Sequence, residues 1–518
     1  MQFYLLRTEG AGVLYGVKPN PHGARYEWNV TNRSSLPVRL RSVSLVFDFH
    51  RFKGAPTVFR NGYQSWSNSD VATFGTDRDP SWMADNPFFQ GVHHADGATV
   101  ENEYELRSEW VTIIGDDSEQ KLLVGFIGSG NHDGTLRLTH GVEGDTELHV
   151  EAFLGDLELA PGESRQLDPV LFLTGTDEAA MLAAWADEVG QKSRARIDAP
   201  FQVGWCSWYH YFDGVDEDAL RSNLARASEH PFDVFQLDDG YHAAIGDWLD
   251  TNDKFPSGLG KLASAIAEAG YRPGIWLAPF LVAPDSRVAT EHPDWFAQFR
   301  PGKPLKAWVN ASWGGSMYAL DTSNPAVLEH LESLARELRE LGFVYLKLDF
   351  TFAPSFDGVW HDPKLTPAQR VRAGFDAIRR GAGDDAFILG CGVPLSHVVG
   401  VVDANRIGPD VAPLWEPAPE AEVVKGYLRT QPSTKFAQDA TRLRAFMHRR
   451  MWLNDPDCLM LRTSETRLTE AQVREWAETV GESGGMVLVS DDLSLLGDDA
   501  RALLEEVIHA GRAADRPH

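Results

Sequence analysis

Cysteine is scarce in this chain: Cys206, Cys391 and Cys458 are the only three among 518 residues. An odd number, widely spaced and each inside an apolar or strand-like stretch, excludes a disulfide framework. No Cys-x-x-Cys or His-x-x-x-His pair makes a convincing metal site, and His93-His94 with Asp96 reads as a polar loop, so neither metal nor other cofactor is expected. Basic charge is also short. The 48 Lys and Arg stand against 75 Asp and Glu, a formal net charge of -27, which repels nucleic-acid backbones and anionic membranes. A neutral small molecule suits such a surface, and a homo-oligomer is compatible with it. No run approaches the roughly 20 apolar residues of a membrane span. The opening Met1-Gln2-Phe3-Tyr4-Leu5-Leu6-Arg7 lacks the basic start, apolar core and small-residue cleavage site of a secretory leader, which makes the cytoplasm the expected compartment.

What the chain does have is a hydrophobic fraction of 43% with 24% charged residues, enough for a sizeable core. Two grammars divide it. Up to about Leu173, short alternating segments (Val38 to Phe49, Val100 to Ile114, Lys121 to Ile127, Thr135 to Thr139, Glu147 to Phe153, Val170 to Leu173) predict an antiparallel β-sandwich over 1–178. Asn61-Gly62-Tyr63-Gln64-Ser65-Trp66-Ser67 interrupts it with a loop rich in aromatic and amide groups, where a Trp is either a packing or a binding residue. A linker helix and boundary are expected over 179–200.

From Phe201 short apolar strands alternate with helical stretches, the signature of parallel βα units. Eight strands are predicted: Val203 to Trp208, Val234 to Asp239, Arg272 to Pro279, Val344 to Phe350, Ala386 to Cys391, Ala404 to Asp410, Met451 to Leu461 and Met486 to Asp492. With seven helices and one short helix at Leu395 to Gly400 they fit a (β/α)8 TIM barrel over 201–518.

Such barrels gather reactive groups at the C-terminal ends of their strands. The fourth strand carries the clearest case, Tyr345-Leu346-Lys347-Leu348-Asp349-Phe350. Alternation points Lys347 and Asp349 to one face and Leu346, Leu348 and Phe350 to the other. Two opposite charges on a buried face form either a structural ion pair or a ligand site. The other strands end in Trp205-Cys206-Ser207-Trp208-Tyr209, Asp238-Asp239, Trp276, Cys391-Gly392, Arg406 with Asp410, Asn454-Asp455-Pro456-Asp457 and Asp491-Asp492. All eight supply polar or aromatic groups to one rim. Carboxylates that accept from hydroxyls and Trp faces that stack on a pyranose are equipment for a sugar. Two separated carboxylates serve glycoside hydrolysis, and Asp349 with Asp410 is the pair. Lys347 is expected to keep Asp349 ionised, and Asp410 has room for a raised pKa suited to a proton donor. His210, His242, His397 and His448 read as structural or supporting residues.

The motifs Gly204-Trp205-Cys206-Ser207-Trp208-Tyr209, Gln236-Leu237-Asp238-Asp239-Gly240-Tyr241, Asp247-Trp248, Gly274-Ile275-Trp276, His292-Pro293-Asp294-Trp295, Lys347-Leu348-Asp349 and Arg406-Ile407-Gly408-Pro409-Asp410 together resemble glycoside hydrolase family 36, in particular its compact bacterial α-galactosidases. The resemblance covers the barrel and, through Gln64-Ser65-Trp66, reaches the first domain. It implies an exo-acting retaining α-galactosidase with Asp349 as nucleophile and Asp410 as acid/base. It further implies that Asp238 and Asp239 bind O4 and O6 of galactose, Lys347 the O3 and O4 side, and Arg406 with Cys391 and Gly392 the O2 side. Trp276 would wall the pocket, Trp66 would arrive from the first domain, and Trp208, Tyr209 and Phe350 would shape the entrance or leaving-group side. Raffinose or stachyose synthase-type galactosyl transfer, α-N-acetylgalactosaminidase activity and a non-catalytic sugar-binding barrel are the alternatives, with a metal-dependent aldolase or hydrolase further off. Leu348, Thr351 and the turn Gly392-Val393-Pro394-Leu395-Ser396 depart from many relatives but agree with the compact subgroup. A C-terminal β domain usual among relatives is not expected here.

Overall fold

The computed structural model describes residues 3–9, 13–20, 23–49, 56–73, 92, 105–116, 119–140, 146–417 and 432–516. His93, His94, Asp96 and the stretch 100–104 of the expected Val100 to Ile114 strand lie outside the described residues.

Two antiparallel sheets come first. One orders Phe3–Glu9, Val38–Phe49, Thr146–Leu159, Asp133–His140 and Glu105–Glu109. The other runs through Ser164–Gln166, Gly23–Thr31, Val170–Gly175, Lys121–Phe126, Val111–Gly115, Thr57–Arg60 and Asp70–Thr73, with Val13–Asn20 paired to Gly23–Thr31. Alternation drives their inner faces together. Phe47 of the first sheet meets Phe172 and Tyr26 of the second, with ring centroids 4.8 and 5.3 Å apart. The strands Phe3–Glu9, Val13–Asn20, Gly23–Thr31, Thr57–Arg60, Asp70–Thr73 and Ser164–Gln166 are additions to the expected set.

The helix Glu178–Ser193 comes next, started by Asp177, whose carboxylate accepts from the Ala180 amide. Its apolar stripe of Met181, Leu182, Trp185, Ala186 and Val189 is buried. Trp185 donates to the carbonyl of Phe126 at 3.1 Å and meets Phe446 at 6.0 Å, so this helix joins the antiparallel sheets to the C-terminal part of the chain.

The second part is a nine-stranded parallel sheet ordered Leu453–Asp455, Ala404–Arg406, Phe387–Gly390, Tyr345–Leu348, Arg272–Leu277, Val234–Leu237, Val203–Cys206, Val487–Val489 and Cys458–Leu459. Its two outermost strands are separated in sequence only by Pro456 and Asp457. The sheet therefore curls back on itself as a TIM-like barrel. Every expected barrel strand is present but shorter, and the expected seventh strand is split, because Pro456 cannot donate to the ladder. The seven expected long helices are present as Glu217–Arg226, Leu259–Glu268, Pro325–Glu340, Pro367–Ala382, Thr434–Leu443, Glu470–Ser483 and Asp498–Ala514, and the short one is a single 3-10 turn, Leu395–His397. An additional three-stranded sheet, Leu281–Val282, Gly315–Ala319 and Lys306–Asn310, comes after the third strand. No helix among the described residues is long and apolar enough to cross a membrane.

One residue ties the first sheets' loop to the barrel. Arg444, fully buried just beyond Thr434–Leu443, donates to the carbonyls of Ser65 and Ser67 at 2.9 and 2.8 Å and to that of Ile407 at 2.8 Å. Longer bonds of 3.3 Å reach Gly62, Gln64 and the Asn61 side chain. Burial pushes the guanidinium down to about 9, still above neutrality, and among the described residues none of its hydrogen bonds goes to a carboxylate. Carbonyl dipoles alone solvate the charge. Replacing Arg444 with Met should leave several of these acceptors unpaired and cost about 3 kcal/mol or more, read as a lower denaturant midpoint at unchanged slope. A loss under about 0.5 kcal/mol would mean that water replaces the clamp.

Candidate active site

The rim is built from strand ends that stop just where charge begins. The fourth strand ends at Leu348, and Phe350 takes φ 52°, a left-handed turn rare for an aromatic residue. That turn brings Phe350 to the rim, against the alternation expected for it. Its ring meets Trp66 and Trp313 at 4.9 Å and Trp308 at 5.1 Å, an aromatic wall drawn from three separate segments.

Asp349 is buried, with Oδ2 accepting from Trp276 Nε1 at 3.0 Å and Oδ1 from the Phe350 amide at 2.8 Å. Lys347 does not pair with it as expected. Its ammonium instead lies 2.8 Å from Asp238 Oδ2, and although burial alone would lower its pKa, that carboxylate holds it well above the ordinary value. A second expectation also needs correction. Burial pushes Asp349 above the usual carboxylate range, and the opposing pulls of Lys347 and of the Trp276 and Cys391 hydrogen bonds do not cancel it.

Asp238 also accepts from Gln236 Nε2 at 2.6 Å, and the Cys206 thiol is 3.4 Å away. Asp239 lies between Trp313 Nε1 and His242 Nε2, each at 2.8 Å. Both carboxylates are thus buried and oriented, with His242 as the support the sequence suggested.

Arg406 is the second cation. It reaches Asp455 at 3.0 Å through Nε, and Asp457 at 2.7 Å and Asp410 at 3.1 Å through Nη1. Burial would lower its pKa, but Asp457 and Asp455 raise it well above the ordinary value. Asp410 is the outermost of the three acids, its side chain 34% exposed. Its carboxyl is raised chiefly by desolvation and by the charge of Asp349, against the pull of Arg406 and Lys347, in the direction expected of it.

Gly392 shows how the first sheets' loop enters. At φ 51°, it donates its amide to Ser65 Oγ at 3.0 Å, and a Cβ there would lie 2.9 Å from the Trp66 ring and 3.1 Å from Asp349 Oδ1. Only glycine permits that approach. Among the described residues, Trp66 Nε1 is buried without a hydrogen-bond partner.

One residue expected at the entrance or leaving-group side, Tyr209, sits elsewhere, whereas Trp208 is half-buried. Tyr209 is buried, and its hydroxyl donates to Asp457 behind Arg406. Trp208 packs edge-on against Phe212 at 5.4 Å and makes no hydrogen bond to the carboxylates among the described residues. Sequence reading named Asp457 and Asp455 as strand-end acids without a role, and missed Trp308, Trp313 and Arg444. The two tryptophans arrive on the inserted sheet and the turn beyond it, where no strand-end rule points. Among the described residues, no three or more His, Cys, Asp or Glu side chains gather as a metal site.

With this geometry in place, comparison with known proteins gives consistent answers. The Melibiase family profile matches residues 201–353. The structure of TtGalA, an α-galactosidase from Thermus thermophilus, in complex with p-nitrophenyl α-D-galactopyranoside superposes with a TM-score of 0.75 at 28% identity, over 98% of this chain and 94% of that one. The chain is similar to the melibiase-like α-galactosidases of glycoside hydrolase family 36. Among family members, α-galactosidase AgaA of Geobacillus stearothermophilus is 25% identical over 364 residues, covering 65% of this chain and 46% of that protein. Alpha-galactosidase 1 of Pediococcus pentosaceus is 25% identical over 341 residues, covering 43% of its length. The chain thus matches less than half the length of these curated relatives.

The Trp276 bond to Asp349 stabilises the charged carboxylate, so Trp276→Phe should raise the Asp349 titration midpoint by about one unit. Carbon-13 NMR of labelled aspartate, assigned against Asp349→Asn, reads it. An unmoved or lowered midpoint would contradict this picture of the site.

Proposed function

We propose that this protein is an exo-acting α-galactosidase that removes terminal α-D-galactosyl residues from oligosaccharides with retention, through a covalent galactosyl-enzyme. The observation that carries the reading is the pairing of two carboxyl groups of unlike setting, one buried and one partly exposed. Asp349 is held by fixed donors deep in the site, while Asp410 stands at its outer edge with a raised pKa. We read the fold behind it as a β-sandwich over 1–178, a linker over 179–200 and a (β/α)8 barrel over 201–518, with the split strand counted as one.

In the first step an Asp349 oxygen forms a bond to the anomeric carbon as the glycosidic C–O bond breaks. The leaving oxygen takes the proton from Asp410. In the second, Asp410, now a carboxylate, takes a proton from water. That water's oxygen bonds to the anomeric carbon, Asp349 leaves, and the acid is restored. The raised pKa of Asp349 supports its role, since a desolvated carboxylate gains most from the positive charge that develops beside it.

The recognition roles obey the same logic. Asp238, Asp239 and Lys347 form a fixed polar corner suited to the axial O4 and O6 that set galactose apart from glucose. Arg406, Cys391 and Gly392 suit the O2 side, Trp276 and Phe350 the apolar wall, and the unpartnered Trp66 Nε1 is a donor available to a sugar hydroxyl. Trp208 is left to the leaving-group side, and Tyr209 supports the site from behind. The solved complexes of TtGalA with p-nitrophenyl α-galactoside and with stachyose support small α-galactosides as the substrate class.

Asp349→Ala should lower turnover by at least about a thousandfold with the fold retained, and azide should restore part of it with release of galactosyl azide in the α configuration. Wild-type-like turnover would exclude Asp349 as nucleophile. For Asp410→Ala, natural galactosides should lose at least about a hundredfold, while aryl galactosides whose leaving group needs no proton should suffer much less. Equal losses would exclude Asp410 as the acid. Absence of free galactose unless a sugar acceptor is added would favour a transferase.

A further inference from the structure

The barrel breaks its own seventh strand at Pro456 and Asp457, and the break delivers one side chain. Asp457 takes φ 90°, a left-handed conformation that costs a non-glycine residue energy and recurs at functional sites. Its side chain is wholly buried. Oδ2 accepts from Arg406 Nη1 at 2.7 Å, from the amide of Val411 at 3.0 Å and from the Tyr209 hydroxyl. Oδ1 accepts from the Cys458 amide at 2.7 Å, and the Asp457 amide itself donates to Asp455 Oδ1 at 2.9 Å.

Two of those contacts bear on Asp410. Val411 is the next residue in the chain, so Asp457 grips the peptide on the C-terminal side of Asp410. Arg406 Nη1 is the very nitrogen that reaches Asp410 Oδ1 at 3.1 Å. A cation so close would by itself favour the charged form of Asp410 and spoil a proton donor.

We propose that Asp457, held by Tyr209, is a positioning residue for Asp410: it fixes the Asp410–Val411 peptide and takes up the positive charge of Arg406 that would otherwise fall on Asp410. This rests on the reading of Asp410 as the acid/base. The charged and titratable groups facing Asp410 are Arg406, Asp349, Lys347, Asp238, Asp457, Tyr209 and Cys391, and those facing Asp457 are Arg406, Asp410, Asp455, Lys347, Tyr209 and Cys458. Burial pushes Asp457 up to about 6, against the pull of Arg406 and with Asp410 and Asp455 adding to the rise. In its charged form Asp457 offsets Arg406.

The test is the pH profile of kcat/KM on a natural galactoside. In the wild type a basic limb should appear that Asp410→Ala abolishes. Asp457→Asn keeps an acceptor but removes the charge, so Arg406 acts on Asp410 unopposed and the basic limb should move to lower pH by about one unit. An aryl galactoside with a good leaving group should show little of the change. Tyr209→Phe removes one donor to the Asp457 carboxylate, raises its pKa and should shift the limb the same way by less. If Asp457→Asn does not fold, as judged by circular dichroism, Tyr209→Phe decides by the same criterion. A uniform loss of activity with the basic limb in place would make Asp457 merely structural and overturn the proposal alone. A basic limb that survives Asp410→Ala would overturn the proposal together with the reading beneath it.

Discussion

A guanidinium shared among three carboxylates is the interaction on which the rest of the site depends. Arg406 is 1% exposed and meets Asp455, Asp457 and Asp410 within 3.1 Å. One positive charge cannot neutralise three negative ones in a medium that solvates poorly, so at least one acid is pressed towards its protonated form. Asp410 is the outermost member of the set, which suits the acid/base role proposed for it. The same economy holds across the rim, where Lys347 is committed to Asp238 and Asp349 is left with hydrogen-bond donors but no direct ion pair. The pocket is thus short of cations, and under the proposed mechanism a substrate that develops positive charge at its anomeric carbon would supply what is missing.

Holding such a cluster requires rigid surroundings, and the barrel supplies them through strand ends packed on every side. The first sheets add the rest. Their loop 61–67 is gripped by Arg444 through carbonyl oxygens and the Asn61 amide oxygen, and Gly392 leaves room for Trp66 to lie against Asp349. The two parts of the chain therefore complete one pocket, and neither would form this aromatic wall by itself.

Much of this was legible in sequence. The alternating strands, the βα grammar and the concentration of acids and tryptophans at strand ends gave the architecture and nearly every contributor, because each reflects local periodicity or a rim rule. What escaped reading depended on partners distant in the chain. Lys347 and Asp349 share a face as alternation requires, yet the partner of Lys347 comes from the second strand, so the expected protection of Asp349 gives way to desolvation. Tyr209 reads as an entrance aromatic and lies behind Arg406. Trp308 and Trp313 come from an insertion, and nothing local marks Arg444 as the clamp it is. Asp457 stood out only as one acid among several in Asn454-Asp455-Pro456-Asp457, although the proline beside it was the signal that the strand breaks there.

The central claim is a double displacement at Asp349 on a galactosyl residue. It is tested most directly by proton NMR of the first sugar anomer released from an aryl α-galactoside, with the aryl α-glucoside as control. Double displacement predicts α-galactose ahead of mutarotation, and recognition of the axial O4 predicts no cleavage of the glucoside. β-Galactose appearing first would place a water between the carboxylates and contradict the claim.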